Sequence, residues 1–271
     1  MTTPSYTALI TGASSGIGAR YAERLAARGY HLILVARREE RLQALAQELQ
    51  RQYGIRADVL KADLSEESGI RAVEARLQSD PTIALVINNA GTAKMGGLLS
   101  ADVREHQMIH TLNTTALLRL SYAALAAFSP RGQGTLINIA SILALHALPG
   151  SAVYSASKAW VLSFTRALQE EFADSGLRIQ AVLPAATATD LWPTSGVALD
   201  ALPAGSVMTT EDLVDAALAG LELGERVTIP SLPDIQEWEA LNAMRLDLAP
   251  LLSLNHAAAR YDGVAGSFRT C

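Results

Sequence analysis

Short apolar segments alternate with amphipathic segments along most of the 271-residue chain, and this alternation constrains the fold more than any other feature. The apolar segments are continuous rather than alternating in polarity, which is typical of strands buried on both faces of a parallel sheet. Right-handed crossovers between such strands give an α/β, doubly wound (Rossmann-like) three-layer sandwich with a seven-stranded parallel sheet. The predicted strands are 7–11, 30–36, 57–61, 83–87, 135–139, 179–183 and 227–229.

Amphipathic segments predict the helices, of which the two longest cover about 101–128 and 152–173. Ser65 precedes a segment with acids in its first turn, so we expect it to be a helix N-cap. Thr209 begins a capping sequence for a helix that ends at Leu223. A further helical pattern begins in the C-terminal tail, at about 233–271. Because no linker or repeat interrupts the chain, we expect a single domain over residues 1–271.

Composition argues against several classes of function. The net charge is −5 and no basic block occurs, so we expect neither nucleic acid nor a membrane surface as a partner. No run of about 18 apolar residues could span a bilayer, and no signal sequence precedes the first strand. Cys/His spacing typical of metal sites is absent. The only cysteine, Cys271, cannot form an internal disulfide, which favours a reducing, cytoplasmic location.

A glycine-rich loop joins the first strand to the first helix. Its glycines, Gly12, Gly16 and Gly18, permit a tight turn and close approach of a ligand to the backbone. The following helix would offer free N–H groups and a positive dipole end to a pyrophosphate. The spacing G-x-x-x-G-x-G differs from the common dinucleotide fingerprint, and a plain glycine-rich turn is the alternative. The position between strand and helix favours nucleotide binding.

Two arginines, Arg37 and Arg38, follow the second strand, where an NAD-binding fold usually carries an acid for the ribose hydroxyls. An arginine at this place accommodates the 2′-phosphate of NADP. The alternative is a solvated helix start, but cations oppose the dipole at a helix N-terminus. We therefore predict NADP(H) as the cofactor, with Arg37 as the main contact.

Tyr154 and Lys158 lie four residues apart in a helical segment, so both side chains project from one face. A nearby ammonium favours the phenolate, and we expect Lys158 to lower the pKa of Tyr154 so that the phenol exchanges protons near neutral pH. Chance pairs of this kind occur on solvated helices. Polar residues also stand at the carboxyl ends of the strands, where ligands bind in open parallel sheets.

These motifs together resemble the short-chain dehydrogenase/reductase family of compact, single-domain type. Residues 11–18 (Thr-Gly-Ala-Ser-Ser-Gly-Ile-Gly) match its cofactor loop, and 88–91 (Asn-Asn-Ala-Gly) match its sheet-stabilising motif. The family's catalytic tetrad is matched by Asn113, Ser141, Tyr154 and Lys158. One departure is Pro184-Ala185, where the family usually has Pro-Gly, so the loop after the sixth strand is expected to follow a slightly different path.

The resemblance implies a role for each matched residue. Tyr154 would be the general acid or base, Lys158 would hold the nicotinamide ribose, Ser141 would orient the carbonyl, and Asn113 would anchor a water. The expected cofactor contacts are Gly12, Ser14, Ser15, Gly16, Ile17, Gly18, Arg37, Arg38, Asp63, Leu64, Asn89, Ala90, Gly91, Tyr154, Lys158, Pro184, Thr187 and Thr189.

The implied activity is NADPH-dependent interconversion of a ketone or aldehyde with its alcohol, acting on a small-molecule substrate. Candidate walls of the substrate pocket are Leu143, His146, Leu191 and Trp192, and the span 190–208 resembles the family's substrate lid. The two long helices pack into a dimer interface in this family, which implies a homodimer or homotetramer. The alternatives are a non-catalytic NADP(H)-binding sensor, and an epimerase or dehydratase that would need a larger C-terminal domain.

Overall fold

Seven parallel strands form one sheet in the computed structural model, which describes residues 6–261. The order is β3-β2-β1-β4-β5-β6-β7, and the sheet and doubly wound topology predicted from the sequence are confirmed. Residues 1–5 and 262–271, including Cys271, lie outside the described residues. The strands are β1 (Thr7–Thr11), β2 (His31–Ala36), β3 (Ala57–Lys61), β4 (Ile83–Asn88), β5 (Gly134–Ile139), β6 (Leu177–Val182) and β7 (Val227–Thr228).

The helices between the strands follow the predicted pattern, with short 3₁₀ turns in several loops. Their bounds are α1 (Gly16–Ala27), α2 (Glu39–Tyr53), α3 (Glu67–Ser79), α4 (Val103–His110), α5 (Leu117–Phe128), α6 (Ala152–Glu171), α7 (Leu191–Ser195), α8 (Thr210–Leu223) and α9 (Ile235–Asp247). As predicted, Thr209 caps α8, accepting a hydrogen bond from the Asp212 amide at 3.0 Å.

Side chains of each strand alternate between two hydrophobic cores, one on each face of the sheet. In β1, Ala8 and Ile10 belong to the core shared with α1, α2 and α8. Leu9 points to the other core, which is shared with α3, α5 and α6. Both faces of the sheet are therefore buried, which explains why the strand sequences are continuously apolar.

The strand order reverses between the adjacent strands β1 and β4. The chain adds β2 and β3 on one side of β1, and then adds β5, β6 and β7 on the other side of β4. Ligands in open α/β sheets bind in the crevice at such a switch point, outside the carboxyl ends of the strands. The glycine loop follows β1 and the segment 88–91 begins at the last residue of β4. The topology thus brings two of the sequence motifs to the same crevice.

Two local expectations are corrected. Ser65 is not the N-cap of α3, because its amide and hydroxyl both donate to Asp63 Oδ1, and Glu66 takes the cap position. The predicted helix at 101–128 is interrupted by a π-helical segment, Thr111–Ala116. No described residue other than glycine has a positive φ, so Ala185 takes an ordinary backbone conformation, and the different path expected for its loop stays a prediction.

The chain divides into two compact units, residues 1–231 and 232–271. The second unit contains α9, which Asp234 caps by accepting a hydrogen bond from the Gln236 amide at 2.9 Å. The helical pattern predicted for the tail is thus present in its described part. The single-domain organisation stays a prediction.

None of the helices within residues 6–261 has the length and apolar character needed to cross a membrane.

Candidate active site

The glycine loop is held in a conformation that only glycine adopts easily. Gly12 and Gly16 have φ values of 68° and 56°, in the left-handed region. A Cβ on Gly18 would lie 2.4 Å from the Gly12 carbonyl oxygen, so no side chain fits there. Asn89 fixes the loop from the neighbouring strand end, since its Nδ2 donates to the Thr11 carbonyl at 2.9 Å. The plain-turn interpretation does not account for this close packing.

The N-terminus of α1 faces the crevice with its backbone donors free of side-chain caps. Ser15, at the cap position, makes no capping hydrogen bond, and no acid lies in the first turn of this helix. Uncapped N–H groups and the positive end of the helix dipole suit a pyrophosphate. The residues of the loop therefore fit a dinucleotide.

Asn89 and Ala90 are tied to β1 through the Thr11 hydroxyl, which accepts hydrogen bonds from both of their amides at 2.9 and 3.0 Å. Gly91 comes next and lies against the tetrad residues. A Cβ on Gly91 would be 3.2 Å from Asn113 Oδ1 and 3.5 Å from Lys158 Nζ. Segment 88–91 thus joins the glycine loop to the predicted catalytic residues.

The two arginines after β2 have different surroundings. Arg37 is 68% exposed at its side chain, and its Nη1 lies 3.8 Å from Asp63 Oδ2. Arg38 is directed at the glycine loop, donating to the Ser14 hydroxyl at 3.0 Å and the Ser15 hydroxyl at 2.6 Å. Both guanidinium groups therefore border the predicted adenosine end of the site, as the sequence suggests.

Asp63 follows β3 at the same edge of the sheet, with its carboxylate accepting from Ser65. Leu64 is also placed there, but its side chain is buried in the hydrophobic core, so only its backbone faces the crevice side. Ile17 likewise packs partly into the core. Among the predicted cofactor contacts, these two would act through shape and backbone rather than through their side chains.

Tyr154, Ser141 and Lys158 converge in a buried cluster. The Tyr154 side chain projects from the first turn of α6 and is only 8% exposed. The Ser141 hydroxyl, on the loop after β5, lies close enough to the Tyr154 phenol to lower its pKa, and it accepts a hydrogen bond from the Leu143 amide at 3.1 Å. Lys158 Nζ lies 5.8 Å from the centre of the Tyr154 ring and donates to the Ile139 carbonyl at 2.8 Å. This donation uses one of the three ammonium protons.

The expected lowering of the Tyr154 pKa is wrong for this structure. Burial raises the pKa of Tyr154 to about 12, and the neighbouring Ser141 hydroxyl offsets only part of that shift. Burial also lowers the pKa of Lys158 to about 8. Desolvation disfavours the charged form of each group and is the largest cause of both shifts. The phenol is therefore protonated at neutral pH, which is the form that a proton donor requires.

Asn113 lies in the π-helical segment, and its side-chain amide is fully engaged. Its Oδ1 accepts from the Thr92 amide, and its Nδ2 donates to the Thr92 carbonyl and the Ser157 hydroxyl, all within 3.0 Å. The role of Asn113 in anchoring a water stays a prediction. π-Helical turns occur frequently at functional sites, because they redirect the backbone groups of a helix.

The remaining predicted residues lie on the two loops that follow β5 and β6. Leu143, Leu191 and Trp192 are half-buried, whereas His146 is exposed. Trp192 donates from its indole nitrogen to the Thr187 carbonyl at 2.6 Å. Three predicted cofactor contacts also lie after β6. The Pro184 carbonyl accepts a hydrogen bond from the Ile142 amide, and the Thr187 hydroxyl donates to the Ala185 carbonyl. The Thr189 side chain packs against Gly16.

Comparison with known proteins decides the family. The profile of the short chain dehydrogenases matches residues 6–197, most of the chain. The chain belongs to the short-chain dehydrogenase family. A short-chain dehydrogenase from Sphingobium yanoikuyae, solved in complex with NADPH, is 44% identical with a TM-score of 0.92, covering 94% of this chain and 99% of that one.

Two other relatives show the range of the family. The bulky-bulky ketone specific alcohol dehydrogenase from Comamonas testosteroni is 40% identical with a TM-score of 0.88, covering 96% of this chain and 99% of its own. The 17-beta-hydroxysteroid dehydrogenase type 3 of Rattus norvegicus is 33% identical over 68% of this chain and 60% of its own length. The chain therefore spans about three fifths of that curated relative.

Three residues that sequence reasoning missed also contribute to the site of this short-chain dehydrogenase. Ser157 donates to the Tyr154 carbonyl at 2.7 Å and accepts from Asn113, so it connects two tetrad residues. Asp190 and Arg41 join Arg38 at the edge of the glycine loop. Ser157 could have been suspected from its place beside Lys158. The Asp190 contacts span about 150 residues and leave no local signal.

The buried amine of this short-chain dehydrogenase makes its stability depend on pH. Its pKa in the folded chain, about 8, lies below the ordinary value of 10.5. Below pH 8 the amine is charged in both the folded and unfolded states, and the folded state bears the cost of burying the charge. Between pH 8 and 10.5 the folded amine is neutral first, so this cost, about 3 kcal/mol, fades as the pH rises.

We therefore expect any stability advantage of Lys158→Met over the wild type to shrink by about 3 kcal/mol between pH 7 and pH 10.5. Urea unfolding of both proteins across this pH range measures the difference. The exposed Lys61, changed to Met, is the matched control and should leave the difference nearly constant. A pH-independent difference for Lys158→Met would show that the buried amine does not titrate as described.

Proposed function

We propose that this short-chain dehydrogenase reduces a ketone or aldehyde to an alcohol with NADPH, and catalyses the reverse oxidation. The observation that carries the proposal is the buried cluster of Tyr154, Ser141 and Lys158 at the switch point of the sheet, beside a loop that fits a dinucleotide. A bound nicotinamide supplies the hydride to the carbonyl carbon or removes it from the alcohol.

The protein residues supply the proton and the orientation. Tyr154, protonated at neutral pH, donates its phenolic proton to the carbonyl oxygen as the C=O bond becomes CH–OH. Ser141, whose hydroxyl lies beside the phenol, orients that oxygen. Lys158 keeps unused donors for the nicotinamide ribose, and its charge stabilises the phenolate left after proton transfer.

Selection of NADPH over NADH is supported by the charges at the end of β2. Arg37 is exposed and has one ion pair at 3.8 Å, so its guanidinium donors are available for a 2′-phosphate. No acid stands there to hold the ribose hydroxyls of NAD. The Sphingobium yanoikuyae relative, solved with NADPH, points the same way.

The substrate class is a small or medium apolar carbonyl compound. Leu143, Leu191 and Trp192 bring apolar surface to the loops after β5 and β6. Because one relative is named for its specificity for bulky-bulky ketones, the test must also include large ketones. A panel of ketones of increasing size, assayed by NADPH oxidation at 340 nm, tests the proposal. Turnover with at least one ketone is expected, and NADPH binding without turnover of any would favour the non-catalytic sensor.

A homodimer or homotetramer is part of the same proposal. Several large apolar side chains on and before α4 and α5 are exposed in the single chain. Burying them against a second copy would remove apolar surface from water. These residues are Leu99, Val103, Met108, Leu118 and Tyr122. The mass in solution, measured by sedimentation, tests this part. The cytoplasmic location stays a prediction.

A further inference from the structure

Asp190 is bound to the same arginines that border the proposed phosphate site. Its Oδ2 accepts from Arg38 Nη1 at 3.0 Å and from Arg41 Nη1 at 2.9 Å. These contacts hold the pKa of the carboxyl below its usual value, with the Arg38 hydrogen bond as the largest cause. Asp190 is therefore an anion at physiological pH. It comes from the other half of the chain, directly before α7.

Arg38 has all three guanidinium nitrogens engaged. Nε and Nη2 donate to Ser14, Nη2 also donates to Ser15, and Nη1 donates to Asp190. Arg41 adds a second cation on the same carboxylate oxygen. An open groove of about 540 Å³ lies beside these side chains, lined also by Glu39 and Lys61. The carboxylate thus accepts from two arginines at the rim of the glycine loop, and Glu40 also lines the groove.

We propose that Asp190 is an internal anion that competes with the cofactor 2′-phosphate for Arg38 and Arg41. A carboxylate and a phosphate use the same guanidinium donors, and two anions sharing one pair of cations repel each other. Binding of the phosphate therefore displaces Asp190, and the energy of the broken ion pairs is subtracted from the binding of NADPH. This inference rests on the proposed NADPH preference.

Displacement of Asp190 would also affect α7, which lies in the predicted substrate lid. Asp190 directly precedes α7, whose other end is held by a hydrogen bond from the Met95 amide to the Ser195 carbonyl at 2.8 Å. Trp192 holds the middle through its bond to Thr187. Loss of the Asp190 contacts detaches the start of α7 from Arg38 and Arg41. Phosphate binding and the seating of α7 are thus coupled, and the coupling is reciprocal.

The test uses two cofactor fragments that differ only in the 2′-phosphate, adenosine 2′,5′-bisphosphate and adenosine 5′-monophosphate. Isothermal titration measures both for the wild type and for Asp190→Asn, which keeps the shape of the side chain and removes its charge. We expect the variant to bind the bisphosphate about threefold to tenfold more tightly and the monophosphate within about twofold of wild type. Asp200→Asn, on the same exposed segment, is the matched control and should change neither.

A second readout follows the loop. In the wild type, hydrogen exchange of the α7 amides should be faster with the bisphosphate than with the monophosphate at equal occupancy. In Asp190→Asn the two fragments should give the same rates. Unchanged or weaker bisphosphate binding in Asp190→Asn would overturn the proposal, as would equal α7 exchange with both fragments in the wild type.

The two proposals fail in different ways. The ratio of the two affinities in the wild type tests NADPH preference, whereas the change in that ratio on Asp190→Asn tests the competition. If the wild type bound both fragments equally well and Asp190→Asn bound the bisphosphate more tightly, the proposed competition would still be supported. If the ratio of the two fragment affinities is the same in Asp190→Asn as in the wild type, the competition is contradicted, whichever fragment the wild type binds more tightly.

Discussion

Replacing Tyr154 by phenylalanine is expected to lower kcat for ketone reduction by about 100-fold to 10,000-fold, the range that a general acid contributes. Phenylalanine keeps the ring in its buried place on α6 and removes only the hydroxyl that would donate the proton. NADPH binding should remain within about twofold of wild type, because the contacts of the glycine loop and the arginines are untouched. Steady-state kinetics and fluorescence titration with NADPH measure the two quantities.

Tyr21→Phe is the matched control for this substitution. Tyr21 is also fully buried, and its hydroxyl has no hydrogen-bond partner among the described residues. Removing that hydroxyl should leave turnover unchanged and stability equal or higher, since an unpaired buried polar group costs free energy. Substantial turnover by a correctly folded Tyr154→Phe enzyme would refute the role given to this phenol.

Arg37→Ala should raise the dissociation constant of NADPH by about 10-fold to 100-fold, because a charge-assisted hydrogen bond contributes about 1.5–3 kcal/mol. The dissociation constant of NADH should change by less than about twofold, since NADH lacks the phosphate that this guanidinium would meet. Fluorescence titration with both cofactors measures the ratio. Because Arg37 is exposed, we expect its replacement to leave the fold intact.

Arg51→Ala, at the far end of α2, is the control for loss of a positive charge from the same helical region. It should leave both dissociation constants unchanged. An equal loss of affinity for NADH and NADPH in Arg37→Ala would remove the basis for NADPH selection at this residue. The remaining selection would then have to come from Arg38, whose donors are already engaged.

The sheet was predictable because its signal is local. The central strands β1, β2 and β4 are nearly continuous apolar runs, and burial on both faces of a parallel sheet leaves that pattern in the sequence. The glycine loop was also predictable, since Gly12 and Gly16 adopt positive φ values that other residues avoid. Segment endings were less certain, and Ser65 shows why. The amide and the hydroxyl of Ser65 both donate to the nearby Asp63 carboxylate, so Ser65 does not cap the helix.

The parts that sequence reasoning missed depend on contacts between distant segments or on burial. The π-helical turn around Asn113 follows from packing against Thr92 and Ser157, and Asp190 meets Arg38 only after the chain has folded. The shift of the Tyr154 pKa was predicted in the wrong direction because spacing shows the neighbouring charge but not the loss of solvent. Charge patterns along a chain therefore predict which groups meet more reliably than how they titrate.

Transfer of deuterium from the reduced nicotinamide to the substrate tests the central claim most directly. Wild-type enzyme would be incubated with NADPH carrying deuterium at the transferable position and with the ketone that the panel identifies, and the alcohol analysed by mass spectrometry. The account predicts one deuterium on the carbinol carbon and almost no alcohol from Tyr154→Phe. Alcohol without the label, or labelled alcohol formed equally well by Tyr154→Phe, would contradict it.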